Sequence, residues 1–230
     1  MRGLFKLLWV ETKIFLRQPE AFFFTLVFPL LLLFLFGSIY GNEPSPYFDG
    51  RGTVDISIPA YTAMIIATSG LMSITITMAA YREKGILRRL RTTPLSPLAV
   101  LAAQVIVVFA MTCLGMFLLI VAGKVVYHMR FEGNAWSVLG GFVLASLSFF
   151  ALGFILAGII PNARSAQIVG MVLLYPMLFL CGAGSPREFL PEAIRKFSNF
   201  LPLTYVVNLL RGLWIGEAWS QHVTEALILA

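Results

Sequence analysis

Charged side chains that could bind a soluble partner are concentrated in residues 81–95, a stretch that lies between two long apolar runs. Five of the 17 basic residues fall there: Arg82, Lys84, Arg88, Arg89 and Arg91. Each Arg or Lys costs about 2.5–3.5 kcal/mol at the centre of a bilayer, so this stretch cannot lie in lipid. Its chemistry is ion pairing, and we expect it to form a cytoplasmic loop.

The chain lacks the sequence patterns of common catalytic sites. It contains no G-x-x-x-x-G-K-[ST], no H-E-x-x-H and no G-x-S-x-G pattern. Cys113 and Cys181 lie in or beside apolar runs and are interpreted as small buried side chains. His128 and His222 fall outside those runs, which disfavours an intramembrane enzyme. We expect no catalytic, cofactor or metal site on this chain, and the absence of mid-span acids disfavours a proton- or ion-coupled carrier.

Composition predicts an all-α protein that crosses a membrane several times. Hydrophobic residues make up 59% of the chain and charged residues 12%, which is too apolar for a soluble domain. A helix needs about 20 apolar residues to cross about 30 Å of hydrocarbon. Five runs meet this length: 20–40, 58–80, 98–122, 136–160 and 166–184.

The distribution of basic residues predicts a cytoplasmic N-terminus. With that orientation, the inner segments hold ten of the 17 basic residues and three of the 11 acidic residues, in line with the positive-inside rule. The net charge of +6 lies at the edges of spans and not on one soluble face. This arrangement disfavours nucleic acid as a partner and favours membrane lipid.

Residues 1–19 have helical spacing that separates basic from apolar side chains, with Lys13 and Arg17 opposite Phe15. We predict an interfacial helix on the cytoplasmic membrane surface, followed by an elbow at Pro19. A disordered basic anchor is the alternative.

Glu11 falls on the apolar side of this helix, where an unpaired carboxylate is costly. It is expected either to pair with a basic residue of the 81–91 loop or to extend towards water.

The second span contains a series of hydroxyl residues that admits two interpretations. They include Thr68, Ser69, Ser73 and Thr77. These side chains could line a path for an amphipathic substrate. Alternatively, small residues allow close helix packing, and hydroxyls bond across helices.

Residues 185–222 are amphipathic and punctuated by Pro186, Pro191 and Pro202, which predicts short outer interfacial helices instead of one long span. Arg211, close to two tryptophans, suits an interfacial depth. The apolar residues 223–230 resemble the start of a sixth span.

Residues 81–95 resemble the signature of ABC-2 type transporter permeases, roughly E-R-E-x-G-T-L-x-x-L-x-x-T-P-L. The matching positions are Arg82, Glu83, Gly85, Leu87, Leu90, Thr93, Pro94 and Leu95. Tyr81 stands where the family has an acid, and Ile86 where it has Thr. The resemblance implies that this segment, taken as 81–97, is the coupling helix that docks on an ATPase. We expect a helix to run from the second span to the turn at Thr92–Pro94. Anchoring of the basic residues at anionic lipid is the alternative.

Further landmarks of the same family follow in order along the chain. They are Leu180-Cys181-Gly182, Pro186, Leu190-Pro191, Leu201-Pro202-Leu203-Thr204-Tyr205 and Arg211. The elbow ending at Pro19 fits as well, and the family's six-span plan would account for the apolar residues 223–230. The resemblance therefore covers nearly the whole chain.

The resemblance implies the membrane-spanning subunit of an ABC exporter in the inner membrane of a prokaryote. A second permease copy, identical or related, and a separate ATP-binding subunit that holds ATP and Mg would be its partners. Compact outer loops and apolar spans favour a small amphipathic, drug-like substrate. Export of polysaccharide or a lipid-linked molecule is the alternative, and an ATPase-independent channel or scaffold is a more distant one.

Overall fold

The computed structural model describes residues 2–44, 50–86, 89, 97–181 and 196–230, and this part of the chain is helical throughout, without a β-strand. The helices are α1 (Arg2–Leu16), α2 (Pro19–Tyr40), α3 (Thr53–Glu83), α4 (Pro97–Tyr127), α5 (Ala135–Ile159), α6 (Ala163–Leu180), α7 (Pro202–Trp214) and α8 (Val223–Leu229). A single helical turn, Trp219–Gln221, precedes α8.

Helices α2 to α6 are long and apolar enough to cross a membrane, which confirms the predicted all-α fold with five spans. The second span begins earlier than the predicted residue 58, because Asp55 closes the first turn of α3. The Asp55 Oδ2 atom accepts a hydrogen bond from the Gly52 amide at 3.2 Å. Capping of this kind satisfies an amide that the helix itself leaves without a partner.

Helix α3 is the central helix of the bundle. In its most apolar stretch 89% of residues are buried, compared with 28–39% in the other four spans. Ile65 and Ile66 of α3 are fully buried in a core shared with Leu33 of α2, Leu119 of α4 and Phe142 of α5. The other spans turn apolar side chains outward, as expected for lipid-facing surfaces. Helix α3 therefore cannot move without displacing its neighbours.

The backbones of α3 and α5 are in direct contact where they cross. A Cβ atom on Gly70 would lie 2.4 Å from the Phe149 carbonyl oxygen, and one on Gly153 would lie 2.2 Å from the Gly70 carbonyl oxygen. Helix α3 is π-helical here, over Ser69–Ile74. The Thr75 hydroxyl lies 3.2 Å from the carbonyl oxygens of both Gly70 and Gly153. It can therefore donate a hydrogen bond to backbone carbonyls at this crossing.

Helix α1 ends at Leu16, and Pro19 begins α2, so the chain turns at the position where the sequence predicts an elbow. Pro19 is tolerated in the first turn because the missing amide would have no helical partner there. Phe15 is buried against Val107 of α4, whereas Lys13 and Arg17 are exposed. The position of α1 on a membrane surface stays a prediction.

Asn42 and Asp55 join the N-terminal end of α3 to the C-terminal ends of α2 and α4. The Asn42 side-chain amide donates to Asp55 Oδ1 at 3.0 Å and to the Tyr127 carbonyl oxygen at 3.2 Å. The amide of Arg130 also donates to Asp55 Oδ1, at 2.9 Å. Sequence reasoning had singled out neither residue for this role.

Helix α7 begins at Pro202 and buries its apolar face in the bundle, with Leu203, Val206 and Leu209 fully enclosed. Its amphipathic pattern therefore reflects packing against α3 and α5. The segment at 223–229 is helical, as α8, and a sixth span stays a prediction.

Candidate functional site

The C-terminal end of α3 is shaped by Gly85. The Lys84 amide donates to the Ala80 carbonyl at 3.0 Å, and the Gly85 amide donates to the Arg82 carbonyl at 3.1 Å. Gly85 has a φ of +65°, in the left-handed region, while a Cβ atom there would meet nothing within 4 Å. Glycine is thus required by the backbone conformation and not by lack of space.

The helix from the second span ends at Glu83, so the expectation that it continues to Thr92 is wrong. The physical reason is the left-handed turn at Gly85, which a continuous right-handed helix cannot contain. After the turn, the Arg89 amide donates to the Gly85 carbonyl at 3.1 Å.

Arg82 binds the last turn of α5. Its guanidinium donates to the carbonyl oxygens of Ala157 at 3.2 Å, Ile160 at 2.9 Å and Gly158. The carbonyls at the end of a helix have no partner within the helix and carry the negative end of its dipole. The cation therefore meets the charge and the acceptors that suit it.

Glu83 binds the first turn of α6. Its Oε2 atom accepts a hydrogen bond from the Ala163 amide at 3.0 Å, where the helix dipole is positive. Asn162 caps the same helix, since its side-chain oxygen accepts from the Ser165 amide at 2.8 Å. We call the pair of contacts made by Arg82 and Glu83 the Arg82–Glu83 clip, and residues 160–162 the α5–α6 turn.

The clip is worth little as a source of stability. Both side chains are exposed, and a charge at an exposed helix end contributes about 0.3–1 kcal/mol. Its effect on geometry matters more than its effect on stability. Two adjacent residues of the central helix hold the end of α5 and the start of α6, on either side of one turn.

Glu11 of α1 is joined to α3 by Tyr81. The Tyr81 hydroxyl donates to Glu11 Oε1 at 2.7 Å, and Glu11 is only 3% exposed. The expected pairing of Glu11 with a basic residue of the 81–91 loop stays a prediction. Burial raises the pKa of Glu11, and the hydrogen bond from Tyr81 partly opposes that shift.

Tyr81 is one of the two positions at which the sequence departs from the family signature, and the contact gives this departure a physical meaning. An acid at position 81 would place a second carboxylate against Glu11, and two close carboxylates repel each other. Sequence reasoning noted Tyr81 only as a mismatch. A buried acid on α1 together with a missing acid on α3 was the signal that could have identified the pair.

A second polar contact joins the turn between α1 and α2 to α3, one helical turn before Tyr81. The Gln18 side-chain amide donates to Thr77 Oγ1 at 3.3 Å. Glu11, Gln18, Thr77 and the buried Gln104 of α4 line a crevice that is too narrow for a water molecule. The C-terminal end of α3 is therefore tied to α1 and also to α5 and α6.

The other residues suggested for a substrate path are enclosed by neighbouring helices. Thr68 donates to the Met64 carbonyl at 2.8 Å, and Ser69 accepts a hydrogen bond from Thr112 of α4 at 2.9 Å. The Ser73 hydroxyl is buried and has no hydrogen-bond partner in the part of the chain that the structure describes. This geometry fits the packing interpretation, and a role in a substrate path stays a prediction.

Several predicted positions lie outside the described residues: Leu87, Leu90, Thr93 and Pro94 of the coupling segment, and Gly182, Pro186 and Pro191 of the outer segment. Tyr205 lies on α7 and donates its hydroxyl to the Asn199 carbonyl at 2.6 Å. Arg211 lies in the last turn of α7. Cys181 is buried and accepts a hydrogen bond from Thr204 at 3.1 Å, in keeping with its interpretation as a core residue.

Among the described residues, the surface around the clip carries an excess of positive charge. Its exposed charged residues are Arg82, Glu83, Lys84, Arg89 and Arg164. Such a surface can bind an acidic protein surface or anionic lipid headgroups.

The family model described as ABC-2 type transporter matches residues 2–214. The chain therefore belongs to the ABC-2 type transporter family, as the signature at 81–95 predicts. It is a multi-pass membrane protein and a component of a transport system.

The named relatives are identical to this chain at about a quarter of the matched positions. A Porphyra purpurea protein named as a transport permease, ycf38, is 24% identical over 224 residues, covering 92% of this chain and 73% of the relative. A Bacillus subtilis (strain 168) protein named as a transport permease, YvfS, is 25% identical over 196 residues, covering 84% of this chain and 77% of the relative.

An Escherichia coli (strain K12) protein named as a multidrug ABC transporter permease, YbhR, is 22% identical over 171 residues. The match covers 74% of this chain but only 46% of that relative, so the chain spans less than half of it. No solved structure matches the chain.

Proposed function

We propose that this chain is the membrane-spanning subunit of an ATP-driven exporter, and that a separate ATP-binding subunit acts on the segment that follows α3. The observation that carries this proposal is the exposed, charged end of the most enclosed helix in the bundle. Arg82, Glu83 and Lys84 are exposed, whereas the apolar stretch of α3 is 89% buried. Force applied at this end must reach every helix that surrounds α3, since packed interiors transmit displacement.

The partner follows from charge and from the family. In this proposal ATP and Mg²⁺ bind to the ATP-binding subunit, and the cationic inner surface faces an acidic part of that subunit. A second copy of the permease, or a close relative of it, completes the transporter. The N-terminus lies on the cytoplasmic side of the inner membrane, where the positive-inside rule places the basic residues.

The proposed substrate is a small amphipathic compound, and the name of the related multidrug ABC transporter permease supports this class. Thr68, Ser69, Ser73 and Thr77 are buried between helices in the structure. They become available to a substrate only when α3 shifts relative to α4 and α5. Movement of α3 is therefore the step that we expect ATP to drive.

Charge reversal at Lys84 tests this proposal. The tagged permease would be purified in mild detergent with the ATP-binding subunit encoded beside it, as wild type, as Lys84→Glu and as Lys124→Glu. The segment that follows α3 leads into the first turn of α4, whereas Lys124 is an exposed lysine in the last turn of α4. Reversing the charge of Lys124 is therefore a matched control. Loss of the ATP-binding subunit with Lys84→Glu alone would support the proposal. If wild type captured no such subunit, or if both variants captured it equally, the proposed contact would be wrong.

A further inference from the structure

Two neighbouring residues at the end of α3 bind the facing ends of two consecutive helices. Arg82 donates to carbonyls in the last turn of α5, and Glu83 accepts from the Ala163 amide in the first turn of α6. The cation meets the negative end of one helix dipole, and the anion meets the positive end of the next. The order of the two residues matters, because exchanging them would place each charge against a helix end of the same sign.

We propose that Arg82 and Glu83 are positioning residues that make the α5–α6 turn follow the cytoplasmic end of α3. In this role they act through the turn, and contact with an ATP-binding subunit is not required of them. The statement that an ATP-binding subunit drives the movement of α3 rests on the proposed function. The attachment itself is a property of this chain alone and can be tested without a partner.

The packing beside the clip is apolar. Ala79 of α3, Ile160 of the turn and Ala166 of α6 form a small buried cluster there, and Ile76, Leu156 and Val169 pack against it. Apolar contacts are not directional, whereas charge-assisted hydrogen bonds are. The clip therefore adds a defined orientation to a contact that apolar packing holds together.

Gly170 of α6 shows how closely the two helices approach above the cluster. A Cβ atom at this position would lie 2.8 Å from the Leu71 carbonyl oxygen of α3. The central part of α6 therefore lies against the backbone of α3, and the clip holds its cytoplasmic end. Together these contacts make the two helices one mechanical unit at the inner side of the bundle.

A different carboxylate provides a matched control. Glu20 of α2 accepts a hydrogen bond from the Gln167 side chain of α6 at 2.8 Å, on the protein surface. This contact also joins an acid to α6, but it involves no backbone amide of the first turn. Removal of Glu20 should therefore leave the α5–α6 turn attached to α3.

Hydrogen–deuterium exchange of the full chain in lipid nanodiscs tests the attachment. Glu83→Ala is expected to speed exchange of the Ala163 amide, within the peptide covering 160–166, about two- to fivefold, because this amide loses its acceptor. Glu83→Gln retains an oxygen acceptor and should exchange more slowly than Glu83→Ala. Glu20→Ala should match wild type. Equal exchange in wild type and Glu83→Ala would overturn the proposal, as would the same acceleration in Glu20→Ala.

The same measurement in the complex with the ATP-binding subunit tests transmission. With equal amounts of bound subunit, adding ATP and vanadate should change exchange at 160–166 in wild type but not in Arg82→Ala. A change that persisted in Arg82→Ala would overturn the positioning role. Failure of wild type to capture the subunit would count against the proposed function, while exchange in the isolated chain would still decide the attachment.

Discussion

The Tyr81 hydroxyl donates a hydrogen bond to Glu11 Oε1 at 2.7 Å, joining the central helix to the first helix of the chain. The contact is buried. Because Glu11 is 3% exposed, its carboxylate depends on this protein donor. The position of α1 is therefore linked to any movement of α3.

Replacing Tyr81 by Phe removes the donor and leaves a buried carboxylate without it. We expect a loss of about 1–3 kcal/mol in the free energy of unfolding, the usual cost of an unsatisfied buried group. Thermal unfolding of the purified chain in detergent measures the effect. Tyr205→Phe is the matched control, because it removes a hydroxyl bonded to a carbonyl at a more exposed site. Equal stability of Tyr81→Phe and wild type would contradict the importance of the contact.

Glu11 makes stability depend on pH in a defined direction. Its pKa is raised above the ordinary 4.5, so the folded protein holds this proton more tightly than the unfolded chain does. The contribution is therefore complete below pH 4.5 and is lost as the pH rises through the raised pKa of Glu11. Glu11→Gln, which cannot ionise, should remove this part of the pH dependence.

Unfolding temperatures of wild type and Glu11→Gln, measured side by side from pH 4 to pH 8, decide the matter. The difference between the two proteins should move in favour of Glu11→Gln as the pH rises. A constant difference would show that Glu11 has the same pKa in the folded and unfolded chain.

The turn at Gly85 should tolerate side chains according to their backbone preference and not their size. The left-handed conformation costs a residue with a Cβ atom about 1–2 kcal/mol, whereas Asn adopts it more readily. Since a Cβ atom at Gly85 meets nothing within 4 Å, Gly85→Val should be destabilising and Gly85→Asn nearly neutral. Unfolding temperatures that fell equally for both variants would point to a steric role instead.

The crossing of α3 and α5 should be intolerant of any added atom. Gly153→Ala would place its Cβ atom 2.2 Å from the Gly70 carbonyl oxygen, so the helices would have to separate. Overpacking of this kind costs about 1–3 kcal/mol or more. Gly158→Ala, on the same helix, meets nothing within 4 Å and is the control. Folded yield and unfolding temperature of the two variants should differ, and equal values would contradict the close approach.

The sequence predicted the spans well because hydrophobic length alone determines them, whereas the cytoplasmic position of the basic loop stays a prediction. The partners of charged residues could not be predicted in the same way. Glu83 binds a backbone amide of α6, 80 residues farther along the chain, and no residue type marks that acceptor site. The end of α3 was missed for a related reason, since a glycine within a helical pattern does not show whether the helix bends or stops.

The central claim is that an ATP-binding subunit contacts the chain where α3 ends. A photo-crosslinking amino acid at position 84, introduced into the full chain and illuminated in membranes with that subunit present, tests this most directly. The same amino acid at position 124, in the last turn of α4, serves as the control. We expect a crosslink to the ATP-binding subunit from position 84 and none from position 124. No crosslink from position 84 in a complex that is assembled and hydrolyses ATP would contradict it.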